Sequence, residues 1–187
     1  YFKDLDYTLL NKKVAYEGKR VKVEELKYLN ERQGKEVSRE HVIAGDAAII
    51  LPITENNEVI MIKEARTTIG KIILGLPAGM LEKGETAEQG ALRELEEETG
   101  YRAEYIKKLR VVYPSVGYST EKTTIFLAKD LVKTSMKLDE EEDIEVVKVP
   151  VHRVKEMLKN NELITSGETV ALFHYFMYEE QVLLVYI

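Results

Sequence analysis

Residues 79–101 read GMLEKGETAEQGALRELEEETGY, and the spacing inside this stretch decides the fold. Gly79 is followed after five residues by Glu85, and after seven more by Arg93-Glu94-Leu95; Glu97-Glu98 and Gly100-Tyr101 close the pattern. At ordinary usage of Gly and charged residues, a chance match at these positions is on the order of 10⁻⁹ per start position. Residues 86–99 lack Pro, are rich in Ala, Leu and Glu, and run into a Gly suited to the C′ position, which predicts a helix. At about 100° per residue, Ala87, Ala91, Leu92, Leu95 and Thr99 share the side expected to pack on a core. Glu94, Glu97 and Glu98 follow on the neighbouring arc, with Glu98 at the edge of the buried side, where an unpaired charge is costly. Glu94 and Glu98 are also a like-charged i,i+4 pair, which an isolated helix disfavours. A divalent cation relieves both penalties, because hard Mg²⁺ takes carboxylate oxygens. Gly90 on the same arc is expected to leave room for a bulky anion. Arg93 is expected to pair with Glu97 or Glu85 and to orient carboxylates, so Glu85 and Arg93 read as support. Glu82, Glu88 and Glu96 read as a solvated acidic face.

The chain has 187 residues, enough for one medium domain with a small extension. A hydrophobic content of 44% with 32% charged residues suits a globular protein. The net charge of −6 argues against a nucleic-acid partner but is compatible with a small phosphorylated ligand held through metal. With no cysteine there is neither a disulfide framework nor a Cys-ligated zinc site, which fits a cytoplasmic protein. The longest apolar runs, such as residues 47–53, are too short to span a bilayer, and no signal peptide is visible.

Apolar patterning predicts strands at 21–29, 47–53, 59–62, 72–76, 111–112, 123–128 and 146–149. Asn30 to Glu36 reads as a polar turn, and Pro77-Ala78-Gly79 as a turn delivering the chain to the acidic helix. Val151, Val154, Met157 and Leu158 recur at helical spacing after Pro150. Thr165-x-x-Glu168 reads as a capping box for an apolar helix through Met177, with His174 and Phe176 as packing residues. Strands interleaved with few helices imply a mixed sheet with helices on both sides.

Three further places bear chemistry. The Ala78 backbone carbonyl, just before the acidic helix, is a candidate neutral metal ligand. Arg66, twelve residues earlier, offers a fork of donors for a diphosphate. The acidic run Asp139 to Asp143 is by composition a solvated loop, yet a metal-dependent hydrolase needs a base for water, and a mobile carboxylate is a natural supplier.

The 79–101 stretch resembles the Nudix box, Gly-x5-Glu-x7-Arg-Glu-U-x-Glu-Glu-x-Gly-U with U usually aliphatic, and departs from it only at Tyr101. Around it, Leu51-Pro52, Arg66, Leu76-Pro77-Ala78-Gly79-Met80, residues 113–121 and Glu140-Glu141-Glu142-Asp143-Ile144 resemble the ADP-ribose pyrophosphatase branch of the Nudix hydrolases. The resemblance implies an α+β protein: a Nudix α/β/α sandwich with a mixed sheet at 45–187, plus an N-terminal β-region at 1–44 exchanged across a homodimer. It implies two or more Mg²⁺ ions, with Mn²⁺ able to substitute, held by the Ala78 carbonyl, Glu94 and Glu98 with Glu97 assisting. It further implies a base or additional ligand at Glu142, with Glu140 the other candidate, diphosphate contact by Arg66, a site lined by Met80, and adenine stacking on Tyr28 or Tyr16 from a partner subunit. Gly79, Glu85, Arg93 and Gly100 are structural parts of the box. The implied reaction is hydrolysis of ADP-ribose to AMP and ribose 5-phosphate. Alternatives are another nucleotide sugar or dinucleotide as substrate, or a non-catalytic ADP-ribose sensor. The chain departs from the branch at Gly75, where a Glu is usual, at Ala65, where an aromatic is frequent, and at Val116, where a Pro is usual.

Overall fold

A computed structural model of the chain describes residues 6–138 and 143–180. The chain divides into two compact units. The first holds residues up to Gly45 together with Tyr113–Glu121; the second holds Asp46–Val112 and the chain from Lys122 onward.

The first unit is an antiparallel meander of β1 (Tyr7–Glu17), β2 (Lys22–Asn30) and β3 (Lys35–Ile43), in the order β1-β2-β3. The expected strand at 21–29 is β2, and the expected polar turn is the tight reversal after Asn30, with Gly34 at φ 63°. Apolar patterning predicts neither β1 nor β3, although both fall within the β-region at 1–44 that the resemblance implies. β1 is exposed along its whole length, so it carries none of the one-sided alternation that marks a strand. Residues 113–121 tie on through Val42, whose N–H donates to the Tyr118 carbonyl at 2.7 Å.

The second unit is built on a mixed sheet in the order β7-β4-β9-β8: β7 (Ala78–Met80), β4 (Ala47–Pro52), β9 (Thr123–Lys133) and β8 (Tyr101–Val112). β4 and β9 run parallel; the other pairs are antiparallel. A second, antiparallel sheet has the order β10-β5-β6, from β10 (Ile144–Pro150), β5 (Glu58–Arg66) and β6 (Lys71–Gly75). Alternation along the central strands sends side chains to two cores. Ala48, Ile50, Phe126 and Ala128 meet Ala91 and Leu95 of α1 (Ala87–Thr99) on one face. Leu51, Ile125 and Leu127 meet Val154 and Leu158 of α2 (Val151–Lys159), and Ala171 and Leu172 of α3 (Ser166–His174), on the other. Helices therefore cover both faces of the mixed sheet, as the sequence predicts.

Differences from the expected elements have local causes. Pro77-Ala78-Gly79 is not a free turn: Ala78 to Met80 pair with Ile49 to Ala47 as edge strand β7. β8 is twelve residues long, whereas its sequence suggests only the last two. Its half-buried Ile106, Leu109 and Val112 recur every third residue, out of step with the alternation that marks a strand, and the pairing register shifts between Lys108 and Arg110. The capping box at Thr165 does not form: Thr165 is the N-cap without a side-chain bond, and Glu168 turns instead toward the backbone of Leu76. α3 also ends at His174 and continues as a π-helical turn, Tyr175–Glu179. On it His174 accepts from Arg110 Nε at 2.9 Å, while Phe176 packs at the edge of the core.

α1 forms as its sequence predicts. Thr86 Oγ1 accepts from the Gln89 N–H while the Gln89 side chain accepts from the Thr86 N–H, and Gly100 closes the helix at φ 68°. Thr86→Ala is expected to cost about 1 kcal/mol, read as a lower urea midpoint, with Thr86→Ser close to the parent. An unchanged midpoint for the Ala variant would show that tertiary packing alone holds this helix end.

Candidate active site

Strand β7 lies against α1, and the acidic residues Glu94 and Glu98 of the helix converge on its backbone. Gly79 makes this approach possible: a Cβ there would lie 2.1 Å from both Cδ and Oε1 of Glu94. Glu98 is 4% exposed, and its Oε2 accepts the Ala78 N–H at 2.8 Å. Glu94 is buried too, at 9%, whereas Glu97 is half-buried. The buried arc of α1 thus runs through Gly90, Ala91, Glu94, Leu95, Glu98 and Thr99, while Ala87 and Leu92 of the expected apolar side are half-buried. Glu82 and Glu88 are exposed, as expected of a solvated face, and Glu96 is half-buried.

Arg93 organises these carboxylates. Its Nε donates to Glu85 Oε1 at 2.8 Å and its Nη2 to Glu85 Oε2 at 3.0 Å, a bidentate pair. Nη2 also donates to the Met80 carbonyl at 3.0 Å. Nη1 donates to Glu94 Oε1 at 2.8 Å and to Glu97 Oε2 at 2.9 Å. Arg93 therefore takes both partners the sequence suggests, Glu85 and Glu97, and adds Glu94 and a main-chain oxygen of β7. Bonding to Arg93 first, then to the Glu82 N–H, holds the Glu85 carboxyl down at about 2, against burial. Bonding to Glu85 before all else, then to Glu97 and Glu94, raises the Arg93 guanidinium above its ordinary value although burial opposes it.

Gly90 differs from expectation. A Cβ there would meet Leu81 Cδ2 at 2.4 Å, so the space beside it is filled by Leu81, and the helix closes on the chain leaving β7. Arg66 ends β5 rather than following it, and its Nη2 is paired with Glu64. Met80 exposes its side chain at the end of β7. Tyr28 stands on β2 of the first unit, its ring edge-on to Tyr7 with centroids 6.2 Å apart. Tyr16 on β1 is exposed, and its ring occupies the space beside Gly18. Glu140 and Glu142 lie outside the described residues. Sequence reasoning missed Glu168, a carboxylate buried against Gly75 and Leu76. The signal available for it was Gly75 itself, a glycine ending a strand at no turn.

The sequence matches the NUDIX domain family over residues 44–173. The chain belongs to the Nudix family. It is 34% identical to the ADP-ribose pyrophosphatase of Bacillus subtilis (strain 168), over 91% of this chain and 92% of that protein. It is 33% identical to the ADP-sugar pyrophosphatase of Mus musculus, covering 77% of this chain and 73% of that one. A crystal structure of an ADP compounds hydrolase superposes with a TM-score of 0.86 at 25% identity, over 97% of this chain and 98% of that chain. The α+β architecture is thus the Nudix fold.

Nudix hydrolases generally use a divalent metal such as Mg²⁺. Among the described residues no three His, Asp or Glu side chains already converge as an ion-binding group; Glu94, Glu97 and Glu98 are instead gripped by Arg93 and the Ala78 N–H. The donor set nevertheless fits such an ion. It is made only of hard oxygens, two of its carboxylates are buried, and the glycine cradle at Gly79 brings them against the β7 backbone.

The depressed Glu85 carboxyl gives a test of the Arg93 clamp. A carboxyl held lower in the folded chain contributes stability above its unfolded value, about 4.3, and loses it as pH falls through its folded value of about 2. Denaturant titrations of the parent and Glu85→Gln should therefore differ by a constant amount above about pH 5 and converge as pH falls below about 4.3. A difference independent of pH would show that the ionised Glu85–Arg93 pair does not stabilise the fold.

Proposed function

We propose that this Nudix protein is a Mg²⁺-dependent hydrolase that splits the diphosphate of ADP-ribose into AMP and ribose 5-phosphate. The observation that carries the reading is the placement of buried Glu94 and Glu98 against the β7 backbone, with Arg93 holding Glu85, Glu94 and Glu97 around them. The family, and relatives named for ADP-ribose, ADP-sugars and ADP compounds, support it. Glu94 and Glu98, the Ala78 carbonyl and, assisting, Glu97 would hold two or more Mg²⁺, with Mn²⁺ able to substitute. When bound, the ions supply charge neutralisation of the diphosphate and polarisation of a water. Glu142, with Glu140 as the other candidate, would orient that water or take its proton as its oxygen bonds to one phosphorus. The bridging P–O bond breaks, and its electrons leave with the other phosphate. Arg66 would contact the diphosphate, Met80 would line the site, and Tyr28 or Tyr16 of a partner subunit would stack on adenine. Gly79, Glu85, Arg93 and Gly100 serve as scaffold.

The same reading divides the chain at 44/45, into an N-terminal β-region and a hydrolase domain, and places the protein in the cytoplasm without a nucleic-acid or membrane partner. No helix among the described residues is long and apolar enough to cross a membrane. The exposed Tyr7, Leu9, Leu10, Val14 and Tyr16 on β1 support a homodimer. Light scattering is expected to give twice the chain mass, and a clean monomer would contradict the exchanged β-region.

Incubation of a nucleotide panel with Mg²⁺ in ¹⁸O-water, read by mass spectrometry, tests the reaction. ADP-ribose is expected to yield AMP and ribose 5-phosphate with one label between them, and Glu98→Gln to slow turnover roughly 100-fold. Preference for a nucleoside triphosphate would overturn the substrate, and no turnover of any diphosphate would overturn the enzyme. A Gln variant with full activity would overturn the ligand set.

A further inference from the structure

Glu168 stands in the first turn of α3, is 5% exposed, and belongs to none of the groups assigned above to metal or substrate. Its Oε1 accepts the Leu76 N–H at 3.3 Å, and its Oε2 is buried without a hydrogen-bond partner. The carboxylate fills a notch left by Gly75: a Cβ on that residue would lie 2.3 Å from Oε1 and 3.1 Å from Cδ. Burying a carboxylate with one oxygen unpartnered costs free energy that an apolar side chain would not. The return for that cost lies in what Leu76 adjoins.

The backbone leading from β6 into β7 is held at three points, each by a different element. The Leu76 N–H is held by Glu168 of α3, the Pro77 carbonyl accepts from the Ile50 N–H of β4 at 2.9 Å, and the Ala78 N–H donates to Glu98 of α1. Pro77 has no N–H of its own, so the Leu76 N–H is the last donor before Ala78 that can be anchored. Loss of the Glu168 acceptor would strand that donor and release one of the three ties.

We propose that Glu168 is a positioning residue of the metal site: from the far face of the sheet it fixes the 76–78 backbone, and with it the direction of the Ala78 carbonyl. The inference rests on the metal reading above and adds a residue outside the 79–101 box to it. The acceptor, rather than the charge, carries the role, because the bond it makes is to a backbone N–H.

Mn²⁺ binding without substrate, followed by the electron paramagnetic resonance of the free ion, tests this. Glu168→Ala is expected to weaken binding about tenfold, and Glu168→Gln, whose amide oxygen still accepts from Leu76, to stay within about twofold of the parent. Gly75→Ala should mimic Glu168→Ala, since the methyl displaces the carboxylate, and the double variant should be no weaker than either single one. Circular dichroism confirms which variants are folded; should Glu168→Ala unfold, the Gly75→Ala and Glu168→Gln pair reads the same contrast. Parent-like binding by folded Glu168→Ala or by Gly75→Ala would overturn the inference alone. Binding lost equally in the Gln and Ala variants would also overturn it, by assigning the role to charge. A parent protein that binds no Mn²⁺ would overturn the metal reading and the inference together.

Discussion

A guanidinium carries five N–H groups in one plane, and Arg93 makes five contacts with oxygen: two on Glu85, one each on Glu94 and Glu97, and one on the Met80 carbonyl. Everything specific about the site depends on this convergence. It joins the loop before α1, the helix itself and edge strand β7 in one rigid fork. Lysine has no such geometry, being a single compact charge with three rotatable donors. Without the fork, Glu94 and Glu97 would face each other and Glu98 across less than two turns of helix, with repulsion set against little else. Most exposed ion pairs contribute little, but Arg93 is mostly buried and shared among three carboxylates, so its neighbours cannot move independently of it.

The second requirement is close approach. Carboxylates can lie along a strand backbone only where the strand has no side chains in the way, and β7 meets this with Ala78 and Gly79. The strand is itself short, three residues at the sheet edge, so it must be held in place from several sides. β4 pairs with it, α1 binds its first N–H, and α3 reaches the chain just before it. The two helical layers are therefore both coupled to the same few peptide units.

Much of this was legible in the sequence because the relevant contacts are local. α1, its caps, the Glu85–Arg93–Glu97 relation and the burial of Glu98 all lie within one stretch of twenty-three residues. The central strands β4, β5 and β9 announced themselves through buried apolar runs. What stayed hidden depends on residues distant in the chain or on local pattern breaks. β1 lacks a buried face, and the apolar residues of β8 recur every third position rather than every second. Glu168 matched a capping motif, yet Leu76, ninety-two residues away, competed for its carboxylate and won. Gly90 looked like space for a ligand because sequence spacing shows which side a residue faces and not that Leu81 folds back over it.

The parallel pairing of β4 with β9 sets an order of assembly. Ala47 lies beside Thr123, so the central pair of the sheet closes only when residues seventy-six positions apart meet. Such closures are slow compared with the formation of a helix like α1 from its own neighbours. As the chain leaves the ribosome, Ile50 and Leu51 emerge well before Ile125, Phe126 and Leu127, against which they lie in the finished sheet. The acidic helix and its Arg93 clamp can form in that interval, before the sheet beneath them is complete. During synthesis the flank of β4 that later pairs with β9 is thus exposed to wrong partners until residues 123–128 arrive.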